Sequence, residues 1–303
     1  MPAGAHDPSF RCSQASEAAD EPLLGTASTI TNWLLLEHPG PWGEHALHHA
    51  RLPDGLGATL VRRERELRIR VLLIRRHGRA AGGAPACFAI HTGPDRPWME
   101  RADLNDVRDV ATLDLDALGH GRSVGLAPVD TRLFAVCTHG RRDPCCAERG
   151  RPLAAALSQA FPEQTWESTH IGGDRFAGNM IAFPHGFYFG RVEPAPGVAI
   201  ASGYVDGRID LPHLRGRCCR PIDVQAAEHH LRTGHDLVGA DDVFVDDVVR
   251  VDADTLVTFR TPLGRYRIAV RRALGPEERL TCHTDSAERP PRFELLEDLA
   301  TVP

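Results

Sequence analysis

FAVCTHGRRDPCCAERGRP, residues 134–152, begins as an apolar, strand-like run and then places three cysteines within ten positions. Three readings are open for Cys137, Cys145 and Cys146: metal ligands, redox thiols or small packing residues. The neighbouring segments supply the frame in which to choose. RLFAVCT (132–138) reads as a strand and GRPLAAALSQAF (150–161) as a helix, with Pro152 in its first turn and Leu153 and Leu157 on one face. TWEST (165–169) is a second strand. NMIAFPHGFYFGRV (179–192) is a hairpin turning through Pro184–Gly186, and PIDVQAAEHHLRTG (221–234) is a helix stopped by Gly234.

This β-α-β-hairpin-α order predicts an α/β layer of thioredoxin-like type, with ligand loops following its first two strands. Working outward, GTASTITNWLLLEHPGPW (25–42) holds an apolar strand from Trp33 to Leu36, closed by a Pro/Gly cluster. ATLVRRERELRIRVLLIRRHGR (58–79) carries eight arginines. The alternation of Leu67, Ile69, Val71 and Leu73 in it predicts a strand with a solvated arginine face. AAGGAPA (80–86) reads as a loop, Cys87 to Ile90 as a strand, and 100–125 as polar connection. A boundary falls at about Pro128. The expected divisions are a mobile lead-in (1–22), a smaller N-terminal α/β domain (23–128), the thioredoxin-like domain (129–238) and a C-terminal β-rich extension (239–303). In the extension, TLVTFRTPLGRYRIAV forms a hairpin. The acidic run before it, DDVFVDDVVRVDADT, lacks the glycine of a calcium loop.

Composition narrows the function classes. Net charge is −6, and every one of the 35 basic residues is an arginine; the acidic balance argues against a nucleic-acid binder. No apolar stretch is long enough for a membrane-spanning helix, and the N-terminus lacks the pattern of a secretory signal. The expectation is a cytoplasmic protein in a reducing compartment, whose eight cysteines are thiols or ligands rather than a disulfide framework.

Two constellations carry chemistry. One is Cys137-x8-Cys146, with Cys145 adjacent; the other is STHIGGDRFAGN (168–179), where His170 and Asp174 stand four apart around two glycines. Each follows a predicted strand of one sheet, so the two loops can converge on two thiolates, an imidazole and a carboxylate, a four-ligand metal set. Gly172 and Gly173 indicate backbone that approaches something closely. Other motifs fail: there is no phosphate-binding loop, no C-x-x-C and no G-x-S-x-G. Cys218 and Cys219 read as packing at a helix entry, and His45, His48 and His49 as solvated helix faces.

CTHGRRDPCCAERGRP, STHIGGDRFAGNMIAFPHGFYFGRV and RGRCCRPIDVQAAEHHLR, with GTASTITNWLLLEHPGPWG near the N-terminus, resemble the sucrase/ferredoxin-like family over most of the chain. The resemblance implies a thioredoxin-like ferredoxin domain with a 2Fe–2S cluster. In that family two cysteines of the first motif and two histidines of an H-x-G-G-H motif hold the cluster. Carried over, these are Cys137, Cys146 and His170, with Asp174 standing where the second histidine falls. Carboxylate in place of imidazole restores a negative charge and lowers the potential. His139 and Cys145 are the alternative fourth ligands, and loss of the metal is a further alternative.

The implied function is electron transfer between redox donor and acceptor proteins, without nucleic acid or membrane. Arg141, Arg142 and Arg175 flank the ligand loops. The competing reading is a cluster-free binding or scaffold protein with structural thiols. Sugar hydrolysis, which the family name invites, finds no supporting carboxylate pair.

Overall fold

The structure, a computed structural model, describes residues 7–78 and 83–301. Residues 1–6 of the expected lead-in and 80–82 of the expected loop lie outside the described residues. In chain order the first elements are α1 (Cys12–Ala18), β1 (Asn32–Glu37), α2 (Ala46–His49), α3 (Leu56–Leu67) and β2 (Ile69–Arg75). Next come β3 (Ala86–His91), β4 (Trp98–Asp103), α4 (Leu115–Gly119) and β5 (Ala127–Pro128). β6 (Leu133–Cys137), α5 (Pro144–Ala160), β7 (Thr165–Ser168), β8 (Met180–Phe183) and β9 (Phe187–Phe189) follow. After them lie α6 (Pro194–Val205), β10 (Leu214–Arg217), α7 (Ile222–His235), β11 (Phe244–Val251), β12 (Asp254–Thr261), β13 (Gly264–Leu274) and β14 (Pro291–Thr301).

The protein is mixed α/β, with a ten-stranded sheet in the order β10-β9-β8-β6-β7-β2-β1-β3-β4-β5 and a second sheet, β11-β12-β13-β14. The large sheet repeats one pattern. β1 runs parallel to β2 and antiparallel to β3, which pairs with β4. β6 likewise runs parallel to β7 and antiparallel to β8, which pairs with β9. The two halves meet where β2 and β7 pair antiparallel, Ile74 opposite Ser168 and Arg75 opposite Glu167. The central strands are buried along nearly their whole length, which is why they read as continuous apolar runs. One core joins Trp33, Leu35 and Leu72 of the first half to Cys137, Cys146, Trp166 and Tyr188 of the second. Strands on both sides of residue 128 therefore share a single sheet.

Several elements differ from the sequence reading. α5 begins at Pro144 rather than Gly150, so Cys145 and Cys146 lie in its first turn and Pro152 lies inside it. The cause is local: the Asp143 side chain caps the helix by accepting the Cys145 N–H at 2.9 Å, and Pro144 suits the first helical position. α7 continues through Gly234 and is ended by Asp236 in the left-handed conformation. The first part of the arginine-rich segment is helix α3, which buries Leu56 and Leu60 and pairs Arg62 and Arg63 with Glu66 on its outer face. The strand starts only after Arg68, whose φ of 53° ends the helix. α6 had no counterpart in the sequence reading.

Residues 7–22, expected as part of a mobile lead-in, carry α1, and Cys12, Ser16 and Glu21 are buried. Glu21 is clasped by Arg175 and Arg292, each at 2.9 Å. The C-terminal extension is a four-stranded antiparallel sheet rather than a hairpin alone. α7 packs on it through Val224, Ala227 and Leu231 against Val257, Ile268 and Val270. Its first strand, β11, is the acidic run, with Asp246 bound to Arg265.

Candidate metal centre

The end of β6 places Cys137, the first turn of α5 places Cys146, and the loop after β7 places His170. Their donor atoms lie within 4.8 Å of one another. Asp174 opens a short 3-10 turn and joins them: its Oδ1 is 3.2 Å from Cys146 Sγ and 3.0 Å from His170 Nδ1. The structure thus brings together all four residues singled out by the sequence. Cys137, Cys146 and Asp174 are buried, and the His170 side chain is about a quarter exposed.

The loop geometry depends on two glycines. Gly172 and Gly173 have φ of +94° and +79°, the region glycine alone occupies without strain. A Cβ on Gly173 would fall on the guanidinium of Arg215, and one on Gly172 would meet the Ser28 hydroxyl. The fully buried Arg215 donates to the Gly172 carbonyl at 3.0 Å and to Asn179 Oδ1 at 2.8 Å, while Asn179 Nδ2 donates to the Gly173 carbonyl at 2.8 Å. The close approach expected from the two glycines is therefore made to Arg215. The Asn179 carbonyl in turn accepts the Cys137 N–H at 3.0 Å. Arg215 and Asn179 thus hold both ligand loops. Neither stood out in the sequence, where arginine is too abundant to single one out.

Of the alternative fourth ligands, neither faces the set. His139 Nδ1 accepts the His170 N–H at 3.2 Å and its Nε2 bonds the Gly43 carbonyl at 2.7 Å, so both ring nitrogens are engaged. Burial pushes its pKa down, keeping the ring neutral for these roles. The Cys145 sulfur lies instead 3.7 Å from Cys12 Sγ and 3.5 Å from Cys282 Sγ.

Charges in the set are mutually arranged. The Cys146 thiol is pushed up by the adjacent Cys137 sulfur and by burial. Cys137 is pulled down because Cys146 donates to it and His170 faces it, against the opposing effect of burial. Burial opposes the charged form of His170, but Asp174 and Cys137 outweigh it and raise the ring to about 10. Burial likewise opposes ionised Asp174, and His170 outweighs it. One more observation concerns His170: its buried Nδ1, although 3.0 Å from Asp174, makes no hydrogen bond of acceptable geometry. A buried ring nitrogen without a well-aligned hydrogen bond, on a residue that also brings a donor within 4.8 Å of two thiol sulfurs, fits a metal ligand.

Solvent reaches His170 from an open pocket of about 310 Å³ lined by His45, His48, Arg65, Arg70, Arg142 and Thr169. Two of the histidines expected on solvated helix faces, His45 and His48, thus border the site. No helix among the described residues is long and apolar enough to cross a membrane.

Residues 23–216 match the family model described as sucrase/ferredoxin-like. The chain is also 32% identical over 76 residues to "Altered inheritance of mitochondria protein 32" of the yeast Meyerozyma guilliermondii, a match covering 22% of this chain and 27% of that protein. No solved structure matches.

Proposed function

Because this chain belongs to the sucrase/ferredoxin-like family, we propose that it transfers electrons through a 2Fe–2S cluster held by Cys137, Cys146, His170 and Asp174. The observation carrying this reading is the convergence of the Cys137, Cys146 and His170 donors, with the Asp174 carboxylate set against both Cys146 and His170. The repeated β-α-β-hairpin pattern supports a thioredoxin-like arrangement for the half that bears the site. A cluster bound there supplies one-electron acceptance and release.

The chain's own contributions are positional and electrostatic. Two of the four donors come from one loop-to-helix segment, Cys137 at the end of β6 and Cys146 in the first turn of α5. Arg215 and Asn179 orient the His170–Asp174 loop, as outer residues of metal sites do. Metal binding takes the protons from Cys146 and His170, so Asp174 keeps the set one charge more negative than a two-histidine set. His170, the donor that solvent reaches, sets the face for electron exchange with partner proteins, beside Arg142. All eight cysteines are free, in keeping with a reducing compartment such as the cytoplasm.

The test is the iron and acid-labile sulfide content, with the visible spectrum, of anaerobically purified and reconstituted protein. Iron and sulfide in equal amounts with a charge-transfer spectrum are expected. Colourless, iron-free protein after reconstitution, or iron without sulfide, overturns the cluster.

A further inference from the structure

Cys145 leads to a second group of donors that this function does not use. Cys12 of α1, Cys145 of α5 and Cys282, between β13 and β14, converge although 133 and 137 residues separate them pairwise from Cys145. Their sulfurs stand 3.5, 3.5 and 3.7 Å apart. A disulfide needs about 2.05 Å, so no two are bonded. Three thiolates on one tetrahedral zinc, each at about 2.3 Å, lie about 3.8 Å from one another. The observed triangle is close to that size before any ion draws it together.

A fourth donor completes it. The fully buried Asp143 carboxylate has oxygens 3.8 and 3.9 Å from Cys12 Sγ. It is oriented by the N–H groups of Cys145 and Cys282, each at 2.9 Å, and by the Thr281 hydroxyl at 3.2 Å. Packing alone does not account for this group. Among the described residues, Ala177 and the partly buried Phe10 are the apolar neighbours that cluster with the three thiols, and a carboxylate buried among thiols is costly without a cation.

We infer that Cys12, Cys145, Cys282 and Asp143 form a second, structural zinc site. Three soft thiolates and one carboxylate favour zinc over magnesium or calcium, and four protein donors leave no open position for chemistry. The placement gives the ion a purpose. α1 has seven residues and no side-chain cap, too short to persist alone, and residues 275–290 contain no strand or helix. Zinc pins both to the first turn of α5, one residue from Cys146. The second site thereby steadies the segment that presents a donor of the first.

The test counts metals in the full-length chain. Zinc is expected at about one per chain alongside iron, bound through Cys12 and Cys282 but not through Cys137. Titration of reduced, metal-stripped Cys137→Ser with Co²⁺ alone should give thiolate-to-cobalt charge-transfer and tetrahedral d–d bands. Adding Cys282→Ser or Cys12→Ser should weaken that binding more than tenfold. In the otherwise native chain, Cys282→Ser should lose zinc and keep iron. Failure of cobalt to bind Cys137→Ser with tetrahedral bands, in protein whose circular dichroism matches that of the native chain, overturns the inference, as does absence of zinc from the native full-length chain. Equal cobalt binding with and without Cys282 and Cys12 overturns it as well. Iron content reports separately on the first site, so failure of one reading is distinguishable from failure of the other.

Discussion

Cys145 and Cys146, joined by one peptide bond, serve different groups: the Cys145 sulfur lies 3.5 Å from that of Cys282, and the Cys146 sulfur 3.2 Å from Asp174 Oδ1. Successive residues of a helix project about 100° apart, so placing both cysteines in the first turn of α5 separates their directions.

This geometry predicts opposite outcomes for two neighbouring substitutions. Cys146→Ser should abolish iron binding, whereas Cys145→Ser should leave iron and the visible spectrum in place. Iron analysis of the two purified variants decides it; iron lost only from Cys145→Ser would reverse the assignment.

Asp174 offers a test through potential. Asp174→His exchanges an anionic donor for a neutral one, which makes the cluster less negative and should raise its reduction potential. Potentiometric titration followed in the visible range measures the change. An unchanged potential would show that Asp174 does not bind iron.

Gly173→Ala should destabilise the protein by about 1–3 kcal/mol, because the position has φ of +79° and the new methyl would meet the Arg215 guanidinium. The same shift displaces Asp174, so iron should also be released faster to a chelator. Denaturant unfolding and chelation kinetics report the two effects independently.

His185 predicts how stability changes with pH. Its ring is buried against Tyr204, and burial, aided by Arg217, lowers its pKa from 6.5 to about 4 despite Asp241. Between those values the unfolded chain binds a proton that the folded protein does not, so stability falls as pH drops from about 6.5 to about 4. The loss from this residue is up to about 3 kcal/mol. His185→Gln should flatten that part of the pH profile of the iron-free protein in thermal unfolding; an unaltered slope would remove His185 as its source.

Much of the second half of the large sheet was legible because its signals are local. Leu133–Cys137 is a short apolar run, Met180–Phe189 turns through Pro184–Gly186, and both became strands. The start of α5 was misplaced because Pro152 resembles a first-turn proline, although Asp143 and Pro144 are the stronger start signal. α3 was read as strand because apolar alternation in Leu67–Leu73 extends backwards into a segment whose Arg–Glu spacing is helical.

By itself, the sequence determined β1 to β3, β6 to β9 and the hairpin of β12 and β13, the C-x8-C spacing and the H-x-G-G-D loop, since periodicity, glycine and turn chemistry act over a few residues. Tertiary structure alone decided that β2 and β7 join two halves into one sheet, that Arg215 fills the space the two glycines leave, and that Cys145 turns away from Cys146 to meet Cys12 and Cys282. Those contacts span from 42 to 137 positions of chain. At such distances no local preference encodes a partner, and only the packing of the whole core brings the groups together.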